Sequence, residues 1–360
     1  MALLQHDPCA SIRNIFAIVR KLMATIHLQR SANIPSIIRR LMDPLSEILS
    51  LLKPQSHISS GFDAGGDWSL HFAIHDDVMK CYAVISGGCW LMVDETDVPV
   101  RLEAGDCFVL PSGRPFRLTS DLTLQSMDSK SAFPPAVPGG VVTINGGGGL
   151  LLVGSRFAIS GRNAGMLLRM LPPVVHLHCK MDQAALRWSV ERMREEMRNA
   201  QPGGHLIAQH LAHMMLVQAL RLHLAEQKST DVGWFAALAD RQIGAAIAAI
   251  HAEPARRWNL LDLAGQVGMS RSVFAHRFKE KLGETPMDYV TRWRMLLAAQ
   301  RLENSDDPIS SIAPDLGYES ESAFSTAFKR VMGQPPRVFR SGLNAPLEQV
   351  RPEFQRPAAE

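Results

Sequence analysis

The C-terminal third of the sequence contains two segments in which small polar, aromatic and basic residues recur fifty positions apart. The identical pairs are Ser270/Ser320, Ser272/Ser322, Phe274/Phe324, Phe278/Phe328, Lys279/Lys329, Gly283/Gly333 and Pro286/Pro336. Hydroxyl groups and cations in this pattern can hydrogen-bond to base edges and neutralise phosphates. No nucleophile motif, phosphate-binding glycine loop or carboxylate pair accompanies them. The repeated chemistry therefore indicates nucleic-acid binding, with a helical bundle of solvated faces as the alternative.

At helical spacing, each repeat separates its residues into an apolar face and a polar face. Phe274 and Phe278 point one way in the first repeat, and Phe324 and Phe328 do so in the second. The opposite faces are predicted to contact bases through Arg271, Ser272, Ala275, His276 and Lys279, and through Glu321, Ser322, Ser325, Thr326 and Lys329. The cations predicted to contact phosphates are Arg277, Lys281, Arg330, Arg337 and Arg340.

The sequence before each repeat predicts the elements that position these faces. A short helix and a glycine turn precede each repeat, over Leu260–Val267 with Gly268 and over Pro308–Leu316 with Gly317. Ser270 and Ser320 are suitable N-caps for the helices that follow. A helix, a glycine-containing turn and a capped second helix predict a helix-turn-helix motif, present twice.

Residues 240–342 resemble the DNA-binding domain of the AraC/XylS family of transcription regulators. The resemblance is carried by Leu263-Ala264, the run 268–279, Gly283, Pro286, Tyr289, the run 292–295, Ala298, Leu302, Ile312-Ala313, the run 317–324, the run 327–330 and the run 333–336. It implies two recognition helices that enter successive major-groove segments on one face of the DNA. Two departures from the family pattern, Thr326 in the second recognition helix and Pro314 inside the preceding helix, predict that the second motif reads fewer bases.

Between Trp68 and Leu124 the sequence changes to short runs rich in valine and aromatic residues, bounded by glycine, proline and aspartate. These runs predict a meander or barrel. The predicted strands are Leu70–Ile74, Cys81–Ser86, Cys89–Val93, Pro99–Leu102 and Cys107–Leu110, with turns at Gly87-Gly88, Asp94–Asp97 and Ala104–Asp106. The region resembles the cupin-type sensor domain found at the N-terminus of many AraC-family regulators, through Trp68, the runs 84–87, 89–91 and 102–106, and the run 110–116.

Metal-dependent cupins hold their ion with three histidines and a glutamate, and the matching positions here are Ala73, His75, Lys80 and Phe116. Three of the four ligands are absent, so we expect no metal at this position, no cofactor and no catalytic residue. The candidate ligand-binding residues of the barrel are His75, Lys80, Trp90, Arg114 and Phe116, whose cations suit an anionic molecule. The alternative is that His75 and the aromatic residues only fill the barrel core.

Two other groups of histidines carry a weaker metal signal. His176 and His178 alternate on a predicted strand, and His205, His210 and His213 lie near one another on a predicted helix. Neither group has an acid or cysteine nearby in sequence that completes a coordination geometry.

The composition excludes several classes of protein. The chain has 360 residues, a formal net charge of +3, 46% hydrophobic residues and 5 cysteines without a CxxC pair, which argues against disorder, a disulfide framework and a zinc ribbon. Residues 1–41 carry six basic residues against one acid, so the rest of the chain is slightly acidic. DNA affinity must therefore come from a few placed cations. Residues 12–26 predict a basic amphipathic helix, packed on the body or lying on a membrane surface.

These observations predict an α+β protein, with a cupin-like β-barrel (jelly roll) followed by an all-α domain that contains two helix-turn-helix motifs. The predicted domains are a basic extension that is possibly not native (1–41), an effector-sensing cupin-like domain (42–180), a dimerising helical hairpin (181–239), the DNA-binding domain (240–342) and a flexible tail (343–360). Met42 is expected to be the native start, because Asp43 and Pro44 open a well-capped helix.

The predicted function is that of a cytoplasmic transcription regulator, expected to be an activator, which binds double-stranded DNA. Its expected partners are RNA polymerase, an unknown small-molecule effector and a second copy of the chain, with no membrane partner and no enzymatic activity. The alternative function is that of a cupin enzyme fused to a DNA-binding domain.

Overall fold

The computed structural model describes residues 42–341, except for 74–77, 97, 134–139, 160–163, 179–183, 200 and 229. The predicted extension 1–41, its amphipathic helix, the tail 343–360 and the candidate residue His75 lie outside the described residues. The chain divides into two compact units, of which one ends at Leu296 and the other begins at Leu297.

The N-terminal half is a mixed sheet that curls around an apolar core. Neighbouring strands along the main path run in the order β7-β2-β6-β3-β9-β1-β8, while β4 and β5 also pair with β3, and β10 pairs with β5. The strands are β1 (Gln55–Ala64), β2 (Ser69–Phe72), β3 (Val78–Val93), β4 (Val100–Glu103), β5 (Cys107–Leu110), β6 (Phe116–Thr119), β7 (Met127–Asp128), β8 (Val141–Ile144), β9 (Leu150–Ala158) and β10 (Val175–Leu177).

Strand β3 organises this sheet because it pairs with four other strands. Its first half pairs with β9 and β5, and its second half pairs with β4 and β6. The predicted turn at Gly87-Gly88 is therefore wrong, since the chain continues as one strand with a register shift between Val84 and Ser86. Gly87 has a φ of 74°, and a Cβ atom there would lie 1.8 Å from the carbonyl oxygen of Gly149, so only glycine fits.

The short helices predicted over Leu260–Val267 and Pro308–Leu316 are present as Leu260–Gln266 and Ile309–Asp315. Helix α1 begins at Pro44, where the Asp43 side chain accepts a hydrogen bond from the Ser46 amide as predicted. The helices are α1 (Pro44–Leu52), α2 (Ser129–Ala132), α3 (Ala164–Leu168), α4 (Ala184–Arg198), α5 (Gly204–Glu226), α6 (Trp234–Ala239), α7 (Arg241–Ala252), α8 (Leu260–Gln266), α9 (Arg271–Leu282), α10 (Pro286–Asn304), α11 (Ile309–Asp315), α12 (Glu321–Met332) and α13 (Pro336–Ser341).

A chain of buried hydrogen bonds joins α1, which precedes the barrel, to the helices around the first helix-turn-helix motif. Nδ1 of His251 lies 2.7 Å from Oε2 of Glu47, and Nε2 of His251 lies 2.8 Å from the hydroxyl of Tyr289. Trp234 donates its indole N–H to the same hydroxyl at 3.1 Å. The ring of His251 stacks on Trp293 at 3.6 Å between centroids. The barrel and the first motif consequently belong to one compact unit.

Replacing Glu47 with alanine tests this buried chain of hydrogen bonds. The substitution removes a carboxylate that is 4% exposed and its bond to His251. We expect Glu47→Ala to lower the free energy of unfolding of the full-length chain by about 1–3 kcal/mol, measured by urea denaturation.

The matched control is Glu191→Ala, because Glu191 is an exposed helical residue whose ion pair with Arg194 spans 3.8 Å. It should change stability by less than about 0.5 kcal/mol. Equal losses for the two variants would contradict the structural importance of the Glu47 contact.

Candidate nucleic-acid interface and barrel interior

The two predicted recognition helices, α9 and α12, have the same local structure. Ser270 and Ser320 cap them through bonds to the amides of Val273 and Ala323. Both helices end at a glycine with positive φ, 75° at Gly283 and 79° at Gly333. A left-handed residue at this position is the usual C-terminal stop for a helix.

The pattern of burial along the two helices also repeats. Phe274 and Phe278 are fully buried in α9, and so are Phe324 and Phe328 in α12. The residues predicted to contact bases are exposed at Arg271, Ser272, His276, Lys279, Glu321, Ser322, Thr326 and Lys329, and half-buried at Ala275 and Ser325. Each helix therefore places its predicted base-reading face outside its own hydrophobic core.

The cations predicted to contact phosphates differ in their exposure and in their protein partners. Arg330 and Arg337 are exposed. Lys281 is 7% exposed and donates to the carbonyl oxygen of Asp231 at 2.6 Å, so its assignment as a phosphate contact is wrong. Arg340 donates to the carbonyl oxygen of Asp307 and is half-buried, which directs it towards the protein interior.

Arg277 lies at the edge of its helix and already has protein partners. Its guanidinium donates to Oδ2 of Asp240 at 2.6 Å and to the side-chain oxygen of Gln242 at 3.0 Å. Burial opposes ionisation of Asp240, but bonds from the amides of Ile243 and Gln242 and from Arg277 lower its pKa overall. Arg277 therefore joins α9 to the start of α7, and a phosphate would have to share its guanidinium with Asp240.

The two departures from the family pattern in the second motif, Pro314 and Thr326, both affect hydrogen bonding within their helices. Pro314 lies inside α11, where it has no amide hydrogen to donate. The hydroxyl of Thr326 donates to the carbonyl oxygen of Ser322 at 2.9 Å, one turn earlier. The hydrogen of this hydroxyl is consequently already donated within α12. The equivalent residue in α9 is His276, whose side chain is exposed.

Of the candidate ligand-binding residues in the barrel, the structure brings Lys80 and Phe116 together. The ammonium of Lys80 lies 4.6 Å from the centre of the Phe116 ring, which stacks on Phe72 at 4.5 Å. Lys80 is 3% exposed, and it lies opposite Arg156 in the pairing of β3 with β9. Burial, and then the charge of Arg156, lower the pKa of Lys80 from 10.5 to about 8.

Trp90 and Arg114 do not join this group. Cys89 and Leu91 belong to the barrel core, so the intervening Trp90 points to the other face of β3, where Arg101 lies over its ring at 5.4 Å. Arg114 pairs with Glu95 at 2.9 Å and is 41% exposed. Arg156 is not among the residues predicted from sequence, because nothing in its local pattern indicates that β9 places it opposite Lys80.

The comparisons with known proteins agree with this arrangement. Residues 43–225 match the family described as Cupin, and residues 263–342 match the family described as Helix-turn-helix domain. A putative AraC-like transcription regulator of Streptomyces lividans is 40% identical over 85% of this chain and 100% of its own length. This chain belongs to the AraC-like transcription regulators.

Further relatives extend the same conclusion. A putative AraC-like transcription regulator of Streptomyces antibioticus is 39% identical over 83% of this AraC-like chain and 98% of its own length. The HTH-type transcriptional regulator AlkR of Acinetobacter baylyi is 30% identical over 83% of this chain and 99% of its own length. The resemblance stated for both halves of the sequence is confirmed, as are the cupin-like fold of the N-terminal domain and the helix-turn-helix fold of the C-terminal domain.

Neither the helices nor the buried cysteines add a further kind of site to the part of the chain that the structure describes. Among the residues that the structure describes, no helix is long and apolar enough to cross a membrane. Cys81, Cys89 and Cys107 are free and buried, and burial raises the pKa of Cys89 to about 12 despite the opposing charge of Arg101. Buried thiols of this kind are poor nucleophiles.

Replacing Lys80 with methionine should stabilise the folded chain. The native state pays for burying a charge beside Arg156, and the apolar side chain removes that cost. At pH 7 we expect Lys80→Met to raise the free energy of unfolding by about 3 kcal/mol, because the pKa of Lys80 falls from 10.5 to about 8 and each pKa unit corresponds to about 1.4 kcal/mol.

The pH dependence of the stability difference between Lys80→Met and the native chain tests whether the buried charge causes it. Above pH 8 the folded chain releases the Lys80 proton while the unfolded chain keeps it until about pH 10.5, so native stability rises across this window and the difference between the two proteins shrinks. Lys329→Met is the control, since Lys329 is exposed. A difference that is independent of pH would contradict the assignment.

Proposed function

We propose that this AraC-like regulator binds specific sites in duplex DNA through α9 and α12 and changes its DNA binding when a small anionic molecule enters the barrel. The observation that carries the DNA assignment is the repeated exposed face of the two capped helices, each backed by buried phenylalanines. A helix with small polar residues on its outer face can enter the major groove, where its N-terminal half meets base edges.

Within this proposal the first motif contributes most of the sequence specificity. Its face offers Arg271, Ser272 and His276, all exposed at the start or middle of α9. The second face has Glu321 in its first turn, and the Thr326 hydroxyl is bound to its own helix. An acid in this position repels phosphates, so we expect α12 to contribute fewer base contacts and to rely on Lys329 and Arg330 for affinity.

The proposed effector is anionic and partly apolar. Two cations lie opposite each other at Lys80 and Arg156, which destabilises the empty site and would be relieved by a bound anion. The aromatic rings of Phe72 and Phe116 beside Lys80 provide apolar contact area. Carboxylates or phosphates with a small apolar body are the molecules that this combination favours.

The effector would act by shifting a population of conformations. Helix α1 leads directly into β1 and contacts Tyr289 of α10 through Glu47 and His251, so we expect a change in the barrel to reach the first motif through α1. A ligand that binds one arrangement of this unit more tightly than another changes the fraction of chain that can bind DNA.

The remaining expectations are also part of the proposal. We propose that the chain acts in the cytoplasm without catalysing a reaction, that it is an activator that contacts RNA polymerase, and that the hairpin of α4 and α5 mediates dimerisation. Exposed apolar side chains on that hairpin, at Trp188, Leu206 and Ile207, support a protein contact. The alternative, an enzyme fused to a DNA-binding domain, would require turnover of the bound effector.

Selection of bound sequences from a random duplex library tests the DNA assignment. Ser272→Ala and His276→Ala should change the selected bases and weaken binding to the native site by about 1–3 kcal/mol each, because a base contact is lost. Arg330→Ala should weaken selected and random duplexes equally and lower the slope of log affinity against log salt by about 1.

Arg277→Ala should also weaken binding to all sequences, but it breaks the contact with Asp240. Its unfolding midpoint must therefore be measured beside its affinity. If Ser272→Ala, His276→Ala and Arg330→Ala all lost the same affinity on selected and random duplexes, the division between base and phosphate contacts would be wrong.

Sedimentation of the full-length chain tests the hairpin. Trp188→Ser should shift the monomer–dimer equilibrium towards monomer by at least about tenfold, since burying an indole at an interface is worth more than about 1.4 kcal/mol. Val98→Ser is the control, because Val98 is an exposed apolar residue that lies outside 181–239. A dimer unchanged by Trp188→Ser, or equally weakened by both changes, would place the interface elsewhere.

A further inference from the structure

The fold brings an acid to the pair of histidines that the sequence left without one. Asp106 precedes β5, His176 lies on β10 and His178 follows it, so seventy residues of sequence separate the acid from the histidines. The antiparallel pairing of β10 with β5 sets His176 opposite Phe108. Alternation along β5 gives Asp106 and Phe108 the same face, and the acid and histidine thus meet at one end of the sheet.

Asp106, His176 and His178 each place a possible ligand atom close to the other two residues. Oδ2 of Asp106 lies 3.0 Å from Nε2 of His176, and Oδ1 lies 3.1 Å from Nδ1 of His178. One ligand atom from each residue lies within 4.8 Å of the other two. In a zinc site, bonds of about 2.0–2.2 Å in tetrahedral directions place ligand atoms roughly 3.3 Å apart, which is close to these separations.

The supporting contacts hold the carboxylate in place. Asp106 has a side chain that is 6% exposed, and its Oδ2 accepts a hydrogen bond from the amide of Glu103 at 2.9 Å. Such a bond orients a ligating carboxylate in the way that outer contacts do in protein metal sites. The ring of His178 is 72% exposed, so the site is open to solvent on one side.

We propose that Asp106, His176 and His178 bind a divalent first-row transition metal ion, with Zn²⁺ as the preferred cation. Two imidazoles and one carboxylate, with a position left for water, are a recurring zinc ligand set. Ca²⁺ and Mg²⁺ prefer oxygen ligands and are disfavoured by the two imidazoles. The bound ion links the turn before β5 to the end of β10.

This site is separate from the metal position of enzymatic cupins and from the other histidine group. Among the described residues, the acid and two histidines are the one group of His, Cys, Asp and Glu found close enough to hold an ion. On α5, His205 instead contacts Gln209, and His213 packs against Phe157. The proposal also does not depend on DNA binding or on the effector.

The test uses the full-length chain, stripped with a chelator and titrated with Co²⁺ and then with Zn²⁺. We expect one equivalent of Co²⁺ to give the visible absorption of a protein-bound ion, and Zn²⁺ to displace it. His178→Gln should weaken Zn²⁺ binding at least about tenfold, since loss of even an outer contact costs 10–100-fold in affinity. Zn²⁺ should also raise the unfolding temperature of the native chain by more than that of His178→Gln at the same Zn²⁺ concentration.

Asp106→Asn is the second variant and should weaken Zn²⁺ binding similarly. If Asp106→Asn fails to fold, His178→Gln alone tests the site, because His178 is exposed and its replacement should leave the fold intact. His210→Gln is the matched control, an exposed histidine on α5, and should bind as the native chain does. The proposal is overturned if the native chain shows no saturable binding, if His178→Gln binds as tightly as native, or if His210→Gln abolishes binding.

Discussion

The buried contact between Glu47 and His251 is the interaction on which the arrangement of this regulator depends. It joins a helix that precedes the barrel to a helix that precedes the first DNA-binding motif, and Tyr289 and Trp234 continue it on the other side of the imidazole. Burial raises the pKa of Tyr289, so its hydroxyl keeps its proton and remains a donor. The Tyr289 hydroxyl accepts a hydrogen bond from Trp234 and lies within hydrogen-bond distance of His251, whose other ring nitrogen contacts Glu47, so each of these buried side chains has a polar partner. Because unsatisfied polar groups are costly to bury, the barrel and the first motif are positioned together.

The duplicated motifs show how one local structure can carry unequal chemistry. Serine caps, buried phenylalanines and glycine stops recur in α9 and α12, since these residues determine that each helix forms and which face it buries. The exposed faces are free of that constraint and have diverged, with His276 in one helix and a self-bonded Thr326 in the other. Affinity in a chain of low net charge then depends on which cations remain exposed. Arg330 is exposed, whereas Lys281 is buried and Arg277 is bound to Asp240.

Strand β3 has a comparable importance in the N-terminal domain. By pairing with four strands it brings Lys80 opposite Arg156 and beside Phe116, and it also anchors β5, next to which Asp106 and the two histidines meet. The same sheet therefore provides a cationic interior suited to an anion and an acidic, imidazole-lined end suited to a cation. The two proposed sites differ in charge.

The sequence by itself determined the family and the repeated helical motifs, because those depend on local signals: helical periodicity, serine and glycine at helix ends, and a repeat of fifty residues. It predicted the short helix before each recognition helix to within a residue, the strand Cys107–Leu110, and the exposed face of each recognition helix. Only the tertiary structure decided what depends on pairing between distant segments. It carried β3 through the predicted turn at Gly87, turned Trp90 away from Phe116, buried Lys281, and brought Asp106 to His176 and His178. Strand register and side-chain partners of this kind join residues far apart in sequence, and no local pattern records which segments will become neighbours.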